Sequence, residues 1–223
     1  MDQKVILMIL DGWGFSPNPK ISAIDLAKTP VIDSLYKKYS HAKLLTDGEN
    51  VGLPNGQMGN SEVGHMNLGA GRVVYQDLVK ITRAIQDKSI LQNKVLQKAF
   101  SYAFKSRKKL HFLGLISDGG VHSHIDHLEA LMEMAARFNL TDFFVHGFTD
   151  GRDVDPRSGY SYVEKLEKKL KYTGGKLASI TGRYYAMDRD KRWERTKIAY
   201  DALVHGKGTL TKDIKMLIKS SYD

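Results

Sequence analysis

The chain contains no cysteine among its 223 residues. A disulfide framework and a thiolate metal site are therefore excluded, and the composition fits a reducing compartment. Long hydrophobic runs are also missing, because the first apolar run covers only Val5 to Leu10 and is followed by Asp11. A run of that length is too short for a signal peptide or a membrane span. We therefore expect a cytoplasmic protein that does not contact a membrane.

The N-terminal third of the chain has no excess of charge of either sign. Residues 1–76 contain seven basic and seven acidic residues, so the formal net charge of +9 belongs to the remainder. There the lysines are spread over predicted helical faces, without the basic stripe and interleaved aromatics that are typical of nucleic-acid binding. We expect a small anionic substrate as the partner, and no nucleic acid.

Strand and helix patterns alternate regularly from residue 109 onward. Apolar runs at Leu110–Ile116, Phe143–Phe148 and Leu177–Thr181 predict buried strands, and a loop and an amphipathic helix follow each of them. This alternation predicts an α/β fold with a largely parallel sheet and helices on both faces. The three loops that follow the strands should then lie at one edge of the sheet.

The pattern before residue 109 is less regular. Apolar runs at Val5–Leu10 and His41–Thr46 predict strands, and Thr29-Pro30 predicts the start of a helix that ends near Tyr39. Further helices are expected from about Tyr75 and over Asn93–Lys105. The change in charge balance near residues 73–78 predicts two domains, residues 1–76 and 77–223.

A serine follows a glycine-rich loop in the segment Gly56–His65. If Ser61 starts a helix, the helix dipole and free backbone N–H groups would stabilise an alkoxide or a phosphoester on its hydroxyl. Asp11 lies at the end of the first predicted strand, where open α/β sheets bind ligands. A turn at Asp11 and a helix cap at Ser61 are the simpler interpretations. Together, an acidic metal ligand and a serine nucleophile favour phosphoryl transfer through a phosphoserine.

The three loops after the later strands are rich in histidine, aspartate and arginine. Arginine binds phosphate and carboxylate with two parallel hydrogen bonds, and an ionised aspartate beside an arginine can move a proton from a hydroxyl. Because three separate loops converge, we favour substrate contact for four of these residues: Arg152, Asp153, Arg183 and Arg189. For the charged residues around Asp188 and Asp190 we favour mutual salt bridges that rigidify the loop.

The run from His122 to His127 reads His-x-His-x-Asp-His, with His122, His124, Asp126 and His127 as its chemical residues. That spacing resembles the metal motif of metallo-β-lactamase-fold hydrolases, in which zinc activates water. His146 and His205 are available as further ligands. A zinc hydrolase is the less favoured alternative, because this region alternates strand with helix, whereas that fold is a β-sandwich.

The chain resembles the 2,3-bisphosphoglycerate-independent phosphoglycerate mutases of the alkaline phosphatase superfamily over nearly its whole length. The motifs that carry the resemblance stand in the family's order: Asp11–Gly14, Val51–Pro54, Gly56–His65, Gly69–Asp77, Ser117–His124, Asp150–Asp153 and Gly182–Arg195. The resemblance implies the first piece of a phosphatase-like metal domain, followed by most of an inserted phosphotransferase domain. It implies interconversion of 3-phosphoglycerate and 2-phosphoglycerate with manganese and without 2,3-bisphosphoglycerate, by an enzyme that is monomeric when complete.

The resemblance also implies a role for individual residues. Asp11 and Ser61 would contact a metal ion, and Ser61 would carry the transferred phosphoryl group. Asp153 would be the proton-transfer partner of the substrate hydroxyls. The residues implied to hold the phosphoglycerate are His122, Arg152, Asp153, Arg183 and Arg189.

Two departures from the family pattern bear on these expectations. Ile21-Ser22-Ala23-Ile24 stands where the family has Gly-Asn-Ala-Ile. The chain ends at Asp223, and the family's remaining Asp and His metal ligands, a second arginine pair and a lysine lie beyond that point. We therefore expect an incomplete metal site, for a pair of manganese ions, and a chain that is inactive alone. A non-catalytic phosphoglycerate-binding fragment is the first alternative, and the zinc hydrolase the second.

Overall fold

The computed structural model describes residues 4–222, and the chain divides into two compact units between Tyr75 and Gln76. In chain order the α-helices of the described part are α1 (Ala23–Leu26), α2 (Pro30–Lys38), α3 (Ser61–Ala70), α4 (Asp77–Gln86), α5 (Lys94–Lys105), α6 (Ile125–Arg137), α7 (Gly159–Thr173), α8 (Arg183–Ala186), α9 (Trp193–His205) and α10 (Ile214–Ser220). The strands are β1 (Leu110–Leu115), β2 (Phe143–Thr149) and β3 (Lys176–Gly182). Short 3-10 helices lie at Pro19–Ile21, Gly48–Val51 and Ser89–Gln92.

The second unit is built on a parallel sheet with the strand order β1-β2-β3. Phe143 and Val145 of β2 are fully buried because they point into a core to which α5, α6 and α7 all contribute. Each strand is followed by a helix, as the alternating pattern predicts. The predicted α/β fold with a parallel sheet is confirmed, and the predicted strand and helix ends lie within a few residues of the observed ones.

The opposite face of the sheet carries a polar row across the three strands. His111 Nδ1 lies 3.0 Å from His146 Nε2, and His146 Nδ1 lies 2.8 Å from Ser179 Oγ. Leu113, two residues along β1 from His111, is 56% exposed. The expectation of helices on both faces is therefore not met over this part of the sheet. Here the histidine and serine side chains form hydrogen bonds with one another instead of packing against a helix.

The first unit differs from its prediction at two segments. The runs Val5–Leu10 and His41–Thr46, predicted as strands, lie outside regular secondary structure. Val5 is 88% exposed and Leu44 is 80% exposed. A strand forms only where a neighbour completes its backbone hydrogen bonds, and within residues 4–222 neither run has such a neighbour. The helix predicted after Thr29-Pro30 is confirmed as α2.

No helix formed by residues 4–222 combines the length and the apolar character that crossing a bilayer requires.

Candidate active-site residues

Ser61 is the first residue of α3, and Asn60 caps that helix by accepting a hydrogen bond from the Val63 backbone N–H at 3.0 Å. The cap is therefore Asn60 and not Ser61, which leaves the Ser61 hydroxyl available to other partners. Ser61 Oγ donates to Asp11 Oδ2 at 2.7 Å and lies 3.1 Å from His65 Nδ1. The structure thus brings Asp11 and Ser61 together and adds His65, one helical turn further along α3.

Close backbone contacts hold the glycine-rich segment before Ser61. A Cβ atom on Gly59 would lie 1.8 Å from the Thr46 carbonyl oxygen, so no other residue type fits there without movement. Asn67 of α3 donates to the Val51 carbonyl at 3.1 Å and accepts from the Val74 N–H at 2.8 Å. These bonds tie the segment on both sides of α3 to the helix that presents the serine.

Three site loops follow the strands of the second unit, and we define them as residues 117–124, 150–158 and 183–192. Arg183 Nη1, in the third loop, donates to Asp150 Oδ1 and to Asp153 Oδ2 of the second loop, both at 2.7 Å. The side chains of all three are close to buried, with exposed fractions of 12%, 0% and 13%. In the first loop, His122 Nε2 lies 3.8 Å from Asp153 Oδ2. The structure therefore brings His122, Asp153 and Arg183 together.

Asp150 accepts hydrogen bonds from all three site loops. Ser117 Oγ donates to its Oδ2 at 2.6 Å, and the backbone N–H groups of Arg152 and Asp153 donate to its Oδ1 at 3.0 Å each. Burial by itself would raise the pKa of Asp150, but the bonds from Ser117, the two amides and Arg183 outweigh burial and lower the pKa from 3.8 to about 2. Asp150 is therefore a permanent carboxylate at neutral pH.

Arg152 and Arg189, two of the predicted anion-binding residues, are exposed. Within residues 4–222, neither guanidinium forms a hydrogen bond or an ion pair. Their donors are thus available to a negatively charged molecule. No contact in the described part of the chain ties either guanidinium to the cluster of His122, Asp153 and Arg183.

The third loop is held by Asp188, the one residue of the predicted salt-bridge group around Asp188 and Asp190 that forms an ion pair within residues 4–222. Asp188, whose side chain is 2% exposed, pairs with Arg195 Nη1 at 3.4 Å and accepts from the Arg192 N–H at 2.9 Å. The Arg195 guanidinium in turn lies 3.9 Å from the centre of the Tyr184 ring. This aspartate therefore shapes the loop that carries Arg189.

The four residues of the His-x-His-x-Asp-His motif do not form a metal site. His124 caps α6 by accepting from the Asp126 N–H, and His127 Nε2 lies 2.8 Å from Thr82 Oγ1 of α4. Within residues 4–222, no three His, Cys, Asp or Glu side chains come close enough to hold a metal ion. The zinc-hydrolase alternative is therefore wrong for this arrangement, because the start of α6 at Ile125 turns the motif into helix-cap and interhelical contacts. The proposed extra ligands are elsewhere: His146 contacts His111 and Ser179, and His205 packs edge-on against Tyr200.

Several residues of these clusters carry roles that the sequence interpretation did not assign. Ser117 and Asp150 begin two of the family motifs, but an Asp-Gly pair after a strand is also the ordinary signature of a turn. The Tyr162 hydroxyl of α7 donates to Asp118 Oδ1. Burial and the Asp118 carboxylate together raise the pKa of Tyr162 to about 12. His65 could have been found from its i, i+4 spacing to Ser61, which places both on one helix face.

The chain is similar to known proteins over its whole length. A family model described as "BPG-independent PGAM N-terminus" matches residues 81–223. A 2,3-bisphosphoglycerate-independent phosphoglycerate mutase of Flavobacterium psychrophilum is 63% identical over 222 residues, covering 100% of this chain and 44% of the relative. The corresponding mutase of Clostridium beijerinckii is 52% identical and covers 98% of this chain. This chain therefore spans less than half the length of these relatives.

A solved structure gives the same likeness in three dimensions. The Leishmania mexicana phosphoglycerate mutase at low cobalt concentration has a TM-score of 0.67 and 33% sequence identity. The match covers 88% of this chain and 38% of that protein.

Proposed function

This chain belongs to the 2,3-bisphosphoglycerate-independent phosphoglycerate mutase family, and from that premise we propose that it supplies part of an isomerase for 3-phosphoglycerate and 2-phosphoglycerate. The observation that carries the proposal is the Ser61 hydroxyl, which lies at the start of α3 and donates to Asp11 Oδ2 at 2.7 Å. The enzyme needs no 2,3-bisphosphoglycerate, because the phosphoryl group is carried by the protein itself. The proposed substrates are small metabolites of the cytoplasm, and no nucleic acid takes part.

In this proposal Ser61 Oγ forms a bond to phosphorus while the bond from phosphorus to the glycerate oxygen breaks. The N–H groups at the start of α3 favour the negative charge of the resulting phosphoserine. The Ser61 proton leaves as the bond forms, and the glycerate oxygen takes up a proton. After the glycerate reorients, its other hydroxyl loses a proton and bonds to phosphorus, while the bond from phosphorus to Ser61 Oγ breaks and Ser61 Oγ regains a proton. The net change is a phosphoryl group moved between two hydroxyls of one molecule.

The proposed substrate-binding residues are His122, Arg152, Asp153, Arg183 and Arg189, which lie in the second unit. Within residues 4–222 the guanidinium donors of Arg152 and Arg189 are unengaged, and arginine is suited to bidentate contact with phosphate and carboxylate. Asp153 is the proposed proton carrier, because its Oδ2 is held by Arg183 Nη1 at 2.7 Å. An ionised aspartate held beside a bound glycerate can accept a proton from one hydroxyl and return it to the other.

We propose manganese as the cofactor, with Asp11 and Ser61 among its ligands. Their oxygen atoms are of the type that manganese prefers. Two donors do not make a complete site, and within residues 4–222 no cluster of three potential ligand residues exists. When bound, the metal would favour the deprotonated form of the serine hydroxyl. The remaining ligands would have to come from outside the described residues.

In the same proposal, residues 1–76 are the first piece of the metal-binding domain and residues 77–223 are most of the phosphotransferase domain. The relatives' additional length would complete the first of these domains. The chain alone is then expected to be inactive, and the completed enzyme to act as a monomer.

A chimera tests the proposal. In it, this chain replaces the matching N-terminal 44% of the Flavobacterium psychrophilum relative. With manganese and without bisphosphoglycerate, we expect conversion of 3-phosphoglycerate to 2-phosphoglycerate, and we expect Ser61→Ala to abolish it. Ser34→Ala is the matched control, because Ser34 Oγ donates only to the Val31 carbonyl of its own helix. Unchanged turnover in the Ser61→Ala chimera would refute the phosphoserine mechanism.

The second candidate function is phosphoglycerate binding without catalysis. It is favoured by one observation, namely that the cluster of His122, Asp153 and Arg183 lies wholly in the second unit. Titration calorimetry on the 223-residue chain would then show 3-phosphoglycerate binding that is unaffected by Ser61→Ala. An active chimera that loses turnover with Ser61→Ala excludes this candidate, whereas an inactive chimera whose isolated chain still binds would favour it.

A further inference from the structure

Asp150 accepts hydrogen bonds from residues of all three site loops. Its Oδ2 accepts from Ser117 in the first loop at 2.6 Å. Its Oδ1 accepts from the Arg152 and Asp153 amides in the second loop at 3.0 Å, and from Arg183 Nη1 in the third loop at 2.7 Å. The carboxylate is fully buried, with an exposed fraction of 0%. It therefore cannot contact a substrate directly.

The hydrogen bonds at Asp150 have two separate structural effects, one on the turn of the second loop and one on the Arg183 guanidinium. Charge compensation of Arg183 alone would not require Asp150, because Asp153 Oδ2 accepts from the same Nη1 atom at 2.7 Å. The two amide bonds fix the turn from Asp150 to Asp153, and hence the direction in which the Arg152 and Asp153 side chains leave the backbone. The bond to Arg183 fixes one end of that guanidinium against the same turn.

The guanidinium of Arg183 is only partly used by these contacts. Its hydrogen bonds to other residues within 4–222 all come from Nη1. A guanidinium carries further donors on Nε and Nη2, in the planar fork that suits an oxyanion. Holding Nη1 on two aspartates thus leaves the remaining donors in a fixed plane, which lowers the entropy lost when an anion binds.

We propose that Asp150 is a positioning residue, whose buried carboxylate sets the geometry of Arg152, Asp153 and Arg183 for a phosphorylated carboxylic acid. This inference rests on the proposed function for the identity of the ligand, but not for the loop geometry. The packing of the loops is consistent with it. A Cβ atom on Gly119 of the first loop would lie 3.0 Å from Asp153 Cβ, so the first and second loops are in direct contact beside the carboxylate.

Two substitutions separate the effect on the turn from the effect on Arg183. Asp150→Asn keeps an oxygen that can accept from the amides but removes the charge that holds Arg183. Asp150→Ala removes both. Asp155→Asn is the matched control: Asp155 also accepts a backbone bond within the second loop, from the Arg157 N–H at 2.8 Å, but it is exposed and contacts neither the first nor the third loop.

The first measurement is hydrogen exchange of the Arg152 and Asp153 amides by NMR in the 223-residue chain, which needs no substrate. Protection of both amides should fall about tenfold or more in Asp150→Ala, because each loses its acceptor. It should be largely retained in Asp150→Asn and unchanged in Asp155→Asn. If a folded Asp150→Ala variant keeps full protection, the proposal is overturned whatever the chimera does.

The second measurement is steady-state kinetics of the chimera with 3-phosphoglycerate. A misplacement of about 1 Å costs on the order of 10²-fold in rate, so Asp150→Ala should raise KM and lower kcat together, with Asp150→Asn between it and the wild type. A purely structural role would lower the thermal stability but leave kcat and KM within twofold at a temperature where the variant is folded, and that result would also overturn the proposal.

If Asp150→Ala does not fold, the kinetics of the Asp150→Asn chimera carry the test, because loss of the charge that holds Arg183 should still raise KM and lower kcat, and values within twofold of the wild type would overturn the proposal. An inactive wild-type chimera would count against the proposed function, and the amide exchange would still decide the role of Asp150. Loss of protection in a folded Asp150→Ala variant supports positioning, and its retention refutes it.

Discussion

The buried carboxylate of Asp150 makes the stability of the second unit depend on pH. Its pKa is lowered from 3.8 to about 2 by hydrogen bonds that outweigh burial. Between those pH values the unfolded state binds more protons than the folded state, so the stabilisation is complete above pH 3.8 and is lost as the pH falls toward 2. A pKa lowered from 3.8 to about 2 corresponds to a full contribution of about 2 kcal/mol to the free energy of unfolding.

The prediction compares Asp150→Asn with the wild-type chain in urea unfolding at pH 6 and pH 3. The wild type should lose about 1 kcal/mol more than the variant between these pH values, because part of the linkage falls within that range. Asp155→Asn should follow the wild type. An equal loss in wild type and Asp150→Asn would mean that the Asp150 carboxylate is not stabilised by its four donors.

At the scale of the elements, one hydrogen bond ties helix α4 to helix α6. His127 Nε2 lies 2.8 Å from Thr82 Oγ1. Burial, assisted by the neighbouring His124 and opposed by Asp126, lowers the pKa of His127 from 6.5. Protonation is therefore harder in the folded state than in the unfolded state, and stability declines as the pH falls below 6.5. The neutral imidazole at pH 8 can accept from the threonine hydroxyl.

We expect Thr82→Val to lower the free energy of unfolding at pH 8 by about 1 kcal/mol, the usual contribution of one hydrogen bond. Thr141→Val is the control, because Thr141 is exposed in the connection between α6 and β2. Chemical unfolding followed by circular dichroism measures both. Equal stabilities for the two variants would show that the Thr82–His127 bond contributes nothing to holding α4 against α6.

The elements of the second unit were predictable from sequence because their signals are local. Leu110–Leu115 and Phe143–Thr149 are apolar runs of strand length, and Ile125 to Ala135 repeats at helical spacing. The first unit shows the limit of such signals. Val5–Leu10 reads as a strand, but a strand also needs a neighbour, and composition does not say whether one is present.

The residues of the two candidate clusters were likewise predictable only in part. Ser61, Asp11, Asp153 and Arg183 were identified from residue type and motif, and the structure places each in one of two clusters. The central role of Asp150 was not predictable, since its bonds to Ser117 and Arg183 each span 33 positions of the chain. Only the folded sheet shows that the three loops share one carboxylate.

At the scale of the whole molecule, apolar exposure is concentrated at the start of the first unit. Ile6 is 89% exposed and Met8 is 75% exposed, in a run with no strand partner among the described residues. Apolar surface of this kind is normally covered by another part of a protein or by a partner. The relatives' additional length, under our proposal, supplies that cover.

The isolated chain should therefore bind the hydrophobic dye ANS, and the double variant Ile6→Ser/Met8→Ser should lower the fluorescence substantially. Val95→Ser is the matched control, since Val95 on α5 of the second unit is 77% exposed but is not part of a consecutive run of exposed apolar residues. The chimera should show less fluorescence per mole than the chain alone. Equal dye binding by the chain and the chimera would contradict the proposal that the additional length covers the run.

The contact between Asp150 and Arg183 has a consequence for the order in which the molecule is made. A ribosome adds roughly 5–20 residues per second, and Asp150 precedes Arg183 by 33 positions. For roughly 2–7 seconds at that pace, the nascent chain contains β2 and the Asp150 carboxylate but not yet Arg183, the cation that offsets the burial of that carboxylate. The site loops can close only when the third has been synthesised, so Arg183, a proposed ligand-binding residue, also completes the folding of the segment synthesised before it.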